Sequence, residues 1–246
     1  MKILLIGRGV IAKKCLIELY QNDLGSILCG MIGDNEMKKI CLDNKLESHK
    51  IKEVSSENRN EHYIEELINL CEPDLLFSIQ YPWIISSSII DKAGGKIFNL
   101  HNAKLPDYRG HNSISHEILN QEKFHFSTIH QIDKKIDMGE IYSEAKIRIM
   151  PEYTAYDLWL NSHRICVKIF YEFIKSLKDG KEFDSSKKIY KKGRYYKKNE
   201  IISLKQIKDP GNKKEIELKF KAFNFPPHEP AYILLGKTKI YLSQNF

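Results

Sequence analysis

The strongest constraint on the fold lies in the first twenty residues. Positions 3–6 form an unbroken apolar run, Ile-Leu-Leu-Ile, that stops at Gly7, and positions 10–20 then carry apolar residues at helical spacing. A strand that is apolar on both faces has to be covered on both, which is the condition of a parallel strand inside a sheet flanked by helices. Similar runs at 26–32, 74–79 and 96–100, with helical stretches at 61–71 and 83–92 between them, repeat the pattern. The alternation predicts an α/β fold with a doubly wound, mostly parallel sheet.

After Leu100 the sequence predicts a polar turn at 101–110, a helix at 113–120, and strands at 126–132 and 141–149. A long amphipathic helix follows at 155–177, with Leu158, Cys166, Ile169, Phe170, Phe173, Ile174 and Leu177 on its apolar stripe. Lys178, Asp179 and Gly180 end it. Beyond this point short alternating stretches at 216–220 and 232–242, punctuated by Gly and Pro, read as a small C-terminal antiparallel β appendage. The expected division is a main domain at 1–180 and a β-rich region at 181–246. A chain of 246 residues with 42% apolar residues has the material for one such core and an appendage.

The net charge of +7 is unevenly placed. Between Lys187 and Lys221, thirteen Lys or Arg stand against four acids, so this segment carries +9 and the remainder of the chain −2. Such a segment suits a nucleic acid, an anionic small molecule or a solvated face. Five cysteines, at 15, 29, 41, 71 and 166, form no C-x-x-C pair, and only Cys166 has a histidine, His163, within a helical turn. A disulfide framework or a zinc module is therefore disfavoured, and no metal site is expected. No apolar run reaches the length of a membrane span, and the first is too short for a leader, so the chain reads as cytoplasmic with no membrane partner.

Three segments carry chemistry. Gly7-Arg8-Gly9-Val10-Ile11-Ala12 fits G-x-G-x-x-A, and Asp34 closes the second predicted strand where a ribose-binding carboxylate would sit. This turn serves either a nicotinamide dinucleotide or close packing of the first helix on the first strand. In Phe98-Asn99-Leu100-His101, Asn99 and His101 alternate across Leu100 and so share one face at the carboxyl end of a strand, the edge where open α/β sheets bind ligands. An amide donor and an imidazole placed together can handle a developing oxyanion and a proton. Ile136-Asp137-Met138-Gly139-Glu140 is a polar turn whose Asp137 either reaches inward or is solvated.

The N-x-H of Asn99 and His101, the L-P-x-Y-R-G at 105–110, and D-x-G-[DE] with Asp137 36 positions after His101 together resemble the folate-dependent formyltransferase family over about residues 1–180. The resemblance implies the formyltransferase Rossmann-like fold and an enzyme whose catalytic set is Asn99, His101 and Asp137. It implies N10-formyltetrahydrofolate as the formyl donor, with no metal, held at the loop Gln80, Tyr81, Pro82, Trp83 and Ile84 and beside Gly139. The stretch Phe225-Pro226-Pro227-His228-Glu229-Pro230-Ala231 is similar to the F-P-P-x-x-P-A of sugar-nucleotide N-formyltransferases. That likeness implies a homodimer that formylates a dTDP-linked amino-dideoxy sugar, most closely dTDP-4-amino-4,6-dideoxyglucose, for O-antigen lipopolysaccharide.

Candidate sugar or diphosphate contacts are Lys104, Arg109, His111 and Asn112, which precede a helix N-terminus, together with Asn102, Leu105 and Tyr108 in the same segment. Phe223, Phe225 and Tyr232 are candidates for an aromatic shelf under the base. Two competing readings stand beside this one. A methionyl-tRNA formyltransferase would use the basic segment to track phosphates, with Tyr190, Tyr195 and Tyr196 for stacking. It carries a C-terminal barrel for which the 66 residues after 180 are few, so no nucleic acid partner is expected. A nicotinamide-binding protein would need only the glycine turn and Asp34.

Overall fold

A computed structural model of the chain describes residues 1–54, 61–181 and 193–242. The first elements are β1 (Ile3–Gly7), α1 (Gly9–Gln21), β2 (Leu28–Gly33), α2 (Asn35–Asp43), β3 (Ile51–Glu53), α3 (Glu61–Cys71), β4 (Leu75–Ile79), α4 (Ser87–Lys92) and β5 (Ile97–His101). They are followed by β6 (Tyr108–Gly110), α5 (Ser113–Leu119), β7 (Phe124–Gln131), β8 (Ile141–Arg148), α6 (Ala155–Lys178), β9 (Arg194–Tyr196), β10 (Gln206–Ile207), α7 (Lys213–Phe223), β11 (Tyr232–Leu235) and β12 (Thr238–Tyr241).

The chain folds into two compact units that are interleaved in sequence. One comprises Met1–His101, Ser127–Ala145 and residues 166–181, and the other Asn102–Phe126, Lys146–Ile165 and residues 193–242. The linear division expected at residue 180 is corrected accordingly: the turn after β5 and the start of α6 group with the C-terminal residues.

The first unit is built on a seven-stranded sheet ordered β3-β2-β1-β4-β5-β7-β8. Pairings from β3 through β5 are parallel, and β7 runs antiparallel to β5, so the sheet is doubly wound and mostly parallel. The opening apolar run explains the layers. Ile3 and Leu5 face one side, among Ile11, Cys15, Leu16, Phe170, Phe173 and Ile174, while Leu4 and Ile6 face the other, among Ile64, Leu67 and Ile89. All four are fully buried, each stabilising the fold by about 1.5–3 kcal/mol. Phe77 of β4 meets Phe170 and Phe173 edge-on, with ring centroids 4.9 and 5.9 Å apart. Gly7 is fixed by packing: any Cβ there would collide with the Ile79 carbonyl oxygen of the adjacent strand β4.

The helix expected at 83–92 is shorter. α4 begins at Ser87, because the Ser86 hydroxyl caps it by accepting the Ile89 N–H at 3.5 Å, and the Pro82-containing stretch before it stays a loop.

In the second unit α5, the first residues of α6, α7 and β10–β11 enclose a separate core of Ile118, Ala155, Leu158, Ile201, Ile207, Ala222, Phe223 and Ala231. The β stretch expected at 216–220 is in fact part of α7. Ile216, Leu218 and Phe220 alternate as in a strand, but local chemistry favours the helix: the Asn212 side chain accepts the Glu215 N–H at 3.1 Å, and Glu215–Lys219 and Glu217–Lys221 pair at i,i+4. The appendage is mixed. β11 and β12 form the expected antiparallel hairpin, but β10 joins β11 in parallel. β6 and β9 form a further parallel pair, Tyr108–Gly110 beside Arg194–Tyr196, that ties the Y-R-G motif to the described part of the basic segment. Residues 187, 188, 191 and 192 of that segment, and Tyr190, lie outside the described residues. Among the described residues no helix is long and apolar enough to cross a membrane.

Candidate active site

One row of the central sheet changes from apolar to polar as it crosses the strands. Ile32, Ile6, Ser78, Asn99 and His130 are successive partners on β2, β1, β4, β5 and β7, on the face lined lower down by Leu4, Leu76 and Ile97. Two residues on, His101 stands opposite Thr128. Strand alternation therefore puts Asn99, His101, Thr128 and His130 on one face, while Leu100 and Ile129 return to the opposite core.

His130 is the residue that the sequence did not single out. It is 2% exposed and directly opposite Asn99, whose Nδ2 lies 3.1 Å from His130 Nε2. His130 Nδ1 lies 2.9 Å from the Gln131 carbonyl oxygen, which can only accept, so the ring proton belongs on Nδ1 and Nε2 is the acceptor for the Asn99 amide. Asp137 Oδ1 stands 3.7 Å from the same Nε2, and the His101 and His130 rings meet edge to face at 6.3 Å. Burial pushes the His130 imidazole down to about 4, outweighing the Asp137 carboxylate, which favours the charged form. The signal for His130 was its place in strand register, opposite Asn99, and register cannot be assigned before the pairing is known.

The loop joining β7 to β8 carries Asp137 in the left-handed region, φ +52°, an uncommon conformation for a residue with a side chain. Gly139 explains the D-x-G spacing. A Cβ there would overlap the Gln131 carbonyl oxygen, and the Gln131 N–H donates to the Glu140 carbonyl at 2.9 Å, so the loop lies tight against the end of β7.

The glycine turn is internally capped. Gly9 N–H donates to Asp34 at 2.7 Å, Ile11 N–H to the Gln80 side-chain oxygen at 3.3 Å, and the other Asp34 oxygen accepts the Met37 N–H at 3.1 Å. Asp34 and Gln80 thus occupy the helix terminus where a dinucleotide would place its pyrophosphate, which corrects the nicotinamide reading of Gly7 and Gly9 in favour of packing. In the loop after β4, Gln80 has φ +53°, Tyr81 is half-buried with its phenol pushed up to about 12 by burial, Trp83 is half-buried, and Pro82 and Ile84 are exposed.

The remaining candidates belong to the second unit. Both ends of the Asn102 amide are engaged there: Nδ2 donates to Ser162 at 2.8 Å, and Oδ1 faces His125 Nε2 at 3.0 Å, with Glu117 at 2.6 Å from His125 Nδ1. Lys104 pairs with Asp107 at 2.9 Å. Leu105 and Tyr108 are buried, the Tyr108 hydroxyl donating to Glu122 at 2.7 Å and its ring stacking on Tyr196. Arg109 donates to the Gly193 carbonyl at 2.7 Å, while its Nε, buried, has no partner among the described residues. His111 is exposed, and Asn112, at φ +57°, donates to the Lys198 carbonyl at 3.1 Å. Phe223 is buried in the core of this unit, Phe225 packs on Trp159, and Tyr232 carries Lys239 over its ring.

Residues 1–174 match the formyl transferase family, and the chain belongs to it. Over 174 residues it is 33% identical to the bifunctional polymyxin resistance protein ArnA of Wigglesworthia glossinidia brevipalpis, a stretch that makes up 69% of this chain and 26% of that protein. Among solved structures it resembles WlaRD, described as a sugar 3N-formyl transferase in the presence of dTDP and 5-N-formyl-THF, with 24% identity, a TM-score of 0.74, and 98% of this chain and 84% of that one covered. It also resembles a 4-N formyltransferase from Francisella tularensis, with 18% identity, a TM-score of 0.77, and 99% and 97% covered. These two likenesses establish a shared fold.

Proposed function

We propose that the protein transfers the formyl group of N10-formyltetrahydrofolate to the amine of a dTDP-linked amino-dideoxy sugar, with dTDP-4-amino-4,6-dideoxyglucose as the acceptor and O-antigen lipopolysaccharide as the destination. The observation that carries this reading is the polar end of the β5–β7 row, where Asn99 and His101 share a face with buried His130 and with Asp137 within 3.7 Å of it, in a chain of the formyl transferase family.

In this reading the Asn99 amide donates a hydrogen bond to the oxygen of the formyl carbon as it becomes an oxyanion, a contact worth about 100- to 1,000-fold in kcat. His101 accepts the proton that the attacking amine loses, and the Asp137 carboxylate supports the resulting positive charge. The proton is returned to the folate nitrogen as the C–N bond to it breaks. The exposed apolar residues Pro82 and Ile84, with half-buried Tyr81 and Trp83, supply a surface suited to a pterin ring at the carboxyl end of β4, beside β5, and Gly139 keeps the Asp137 loop close to β7. Lys104, Arg109, His111 and Asn112 are the diphosphate and sugar contacts of this reading, and the buried Arg109 Nε, which has no partner among the described residues, is the donor left to meet a phosphate. Asn102, Leu105 and Tyr108 hold that segment in shape, and half-buried Phe225 is the aromatic candidate of this reading to lie under the base, since Phe223 and Tyr232 are both buried.

The reading includes a cytoplasmic homodimer joined through the β11–β12 hairpin, where Leu234, Leu235, Ile240 and Tyr241 are 41–70% exposed; sedimentation of Leu235→Lys as a dimer would speak against that interface. A nucleic acid partner is not part of this reading; Arg194, Lys205, Lys219 and Lys221 of the basic segment pair with Glu200, Glu229, Glu215 and Glu217. The test is a panel of dTDP-amino sugars, glycinamide ribonucleotide and charged methionyl-tRNA, each mixed with the folate while release of tetrahydrofolate is followed by absorbance. Turnover confined to the sugars supports the reading, and turnover on tRNA alone overturns it.

A further inference from the structure

Asn99 can stabilise an oxyanion only if the nitrogen end of its amide, not the oxygen end, faces the reacting carbonyl. The two ends have nearly the same shape, so packing alone does not choose between them, and rotation about the terminal bond exchanges a donor for an acceptor. Some fixed group has to set the polarity.

His130 is that group on geometric grounds. Its Nδ1 is committed to the Gln131 carbonyl at 2.9 Å, which leaves Nε2 as a lone pair aimed at Asn99, 3.1 Å from Nδ2. In the flipped amide, Oδ1 would face that lone pair, acceptor against acceptor, in a position only 2% exposed where no bulk water relieves the repulsion. The Gln131 carbonyl cannot yield, since it also lies against Gly139, where no Cβ fits, and the Gln131 side chain is anchored to the Gly95 carbonyl at 2.5 Å. The chain of constraint therefore runs from backbone to imidazole to amide: Gln131 fixes the tautomer, the tautomer fixes Asn99.

We propose that His130 is a positioning residue for formyl transfer, its Nε2 accepting one Asn99 amide N–H and thereby holding the amide so that the other N–H is presented to the oxyanion. This rests on the formyl-transfer reading above. His130 need not touch either substrate.

The test combines a double-mutant cycle with a measurement that needs no substrate. His130→Leu, close in volume but without an acceptor, is expected to lower kcat by about 10- to 100-fold, part of what loss of a whole oxyanion donor costs, with KM for both substrates within about twofold. His130→Gln, whose side-chain oxygen can accept from Asn99, is expected to recover most of the loss. In an Asn99→Ala background, His130→Leu should cost less than about twofold more, because the residue through which it acts is gone. Hydrogen exchange of the Asn99 side-chain amide, followed by NMR, should be slow in the wild type and in His130→Gln and faster in His130→Leu. If His130→Leu does not fold, His130→Met serves as the pliable acceptor-free variant. Additive effects in the cycle, or Asn99 amide exchange unchanged by removal of the acceptor, would overturn the proposal. A wild-type protein inactive on every amino sugar would instead overturn the formyl-transfer reading, and the exchange experiment would still decide what His130 does to Asn99.

Discussion

Replacing Gly139 with alanine tests how the Asp137 loop is held. Gly139 needs no unusual backbone angle, so the constraint is purely one of space: an added Cβ falls inside the Gln131 carbonyl oxygen, more than 1 Å closer than the 3.0 Å that real Cβ atoms respect. The neighbour is backbone of a central strand, so the loop is what must move, by about 1 Å or more. Asp137 lies two residues away on the same loop and is already in a strained left-handed conformation. A displacement of that size in a catalytic group costs about 100-fold in rate, or about 2.7 kcal/mol of barrier. Loss of the tight contact should also destabilise the fold by about 2 kcal/mol. Gly180→Ala is the control: Gly180 has φ +75° with nothing among the described residues near its absent Cβ, so alanine there costs about 1 kcal/mol of backbone strain and leaves kcat unchanged. The assay is kcat per folded molecule for the wild type and both variants, with the folded fraction fixed by circular dichroism. Gly139→Ala at full kcat would show that the close approach to Gln131 does not position Asp137.

Two further outcomes are expected. Asp34→Ala removes caps from α1 and α2 together and should destabilise by about 2 kcal/mol in urea unfolding, while neither wild type nor variant binds NAD in titration calorimetry; NAD binding by the wild type would restore the dinucleotide reading. Acid should weaken the fold early. Burial holds both His130 and His116, which lies in α5 with its ring against Tyr196, down to about 4 from an ordinary value of 6.5, so below about pH 6.5 the unfolded chain takes up protons that the folded one refuses. The stability that these two residues leave intact at neutral pH is thus lost between about pH 6.5 and 4, by roughly 2 kcal/mol at pH 5 for fully buried His130 and by less for His116, whose desolvation is only partial. Urea midpoints at pH 7 and 5 measure it, and a His116→Gln protein with the same pH dependence as the wild type would contradict the assignment to His116.

Much of the fold was legible because local and tertiary signals agree. The apolar run at 3–6 can be buried only inside a covered sheet, and α3 spans the same residues, Glu61–Cys71, that its helical spacing predicts. α7 was misread because Ile216, Leu218 and Phe220 alternate, whereas capping and i,i+4 ion pairs at Asn212, Glu215 and Lys219 decide for a helix. The short strands β6 and β9 have no periodicity to read, and their parallel pairing joins residues more than eighty positions apart. For the candidate site, Asn99, His101 and Asp137 stand out by motif. His130 does not, because its importance comes from facing Asn99 across a strand pair, and Asp34 looked like a ribose ligand because its capping of Gly9 exists only once β1 and β2 lie side by side.

Formyl transfer to a nucleotide-sugar amine by Asn99, His101 and Asp137 can be measured at the level of the product itself. The most direct measurement is quantitation of the N-formylated dTDP-sugar by mass spectrometry in single turnovers of the wild type, Asn99→Ala, His101→Ala and Asp137→Asn, with binding of the dTDP-sugar measured alongside. Stoichiometric product is expected from the wild type, with rates reduced by about 100-fold or more in each variant and sugar binding nearly unchanged. Full-rate product from His101→Ala and Asp137→Asn, or no formylated sugar from the wild type, would contradict that assignment.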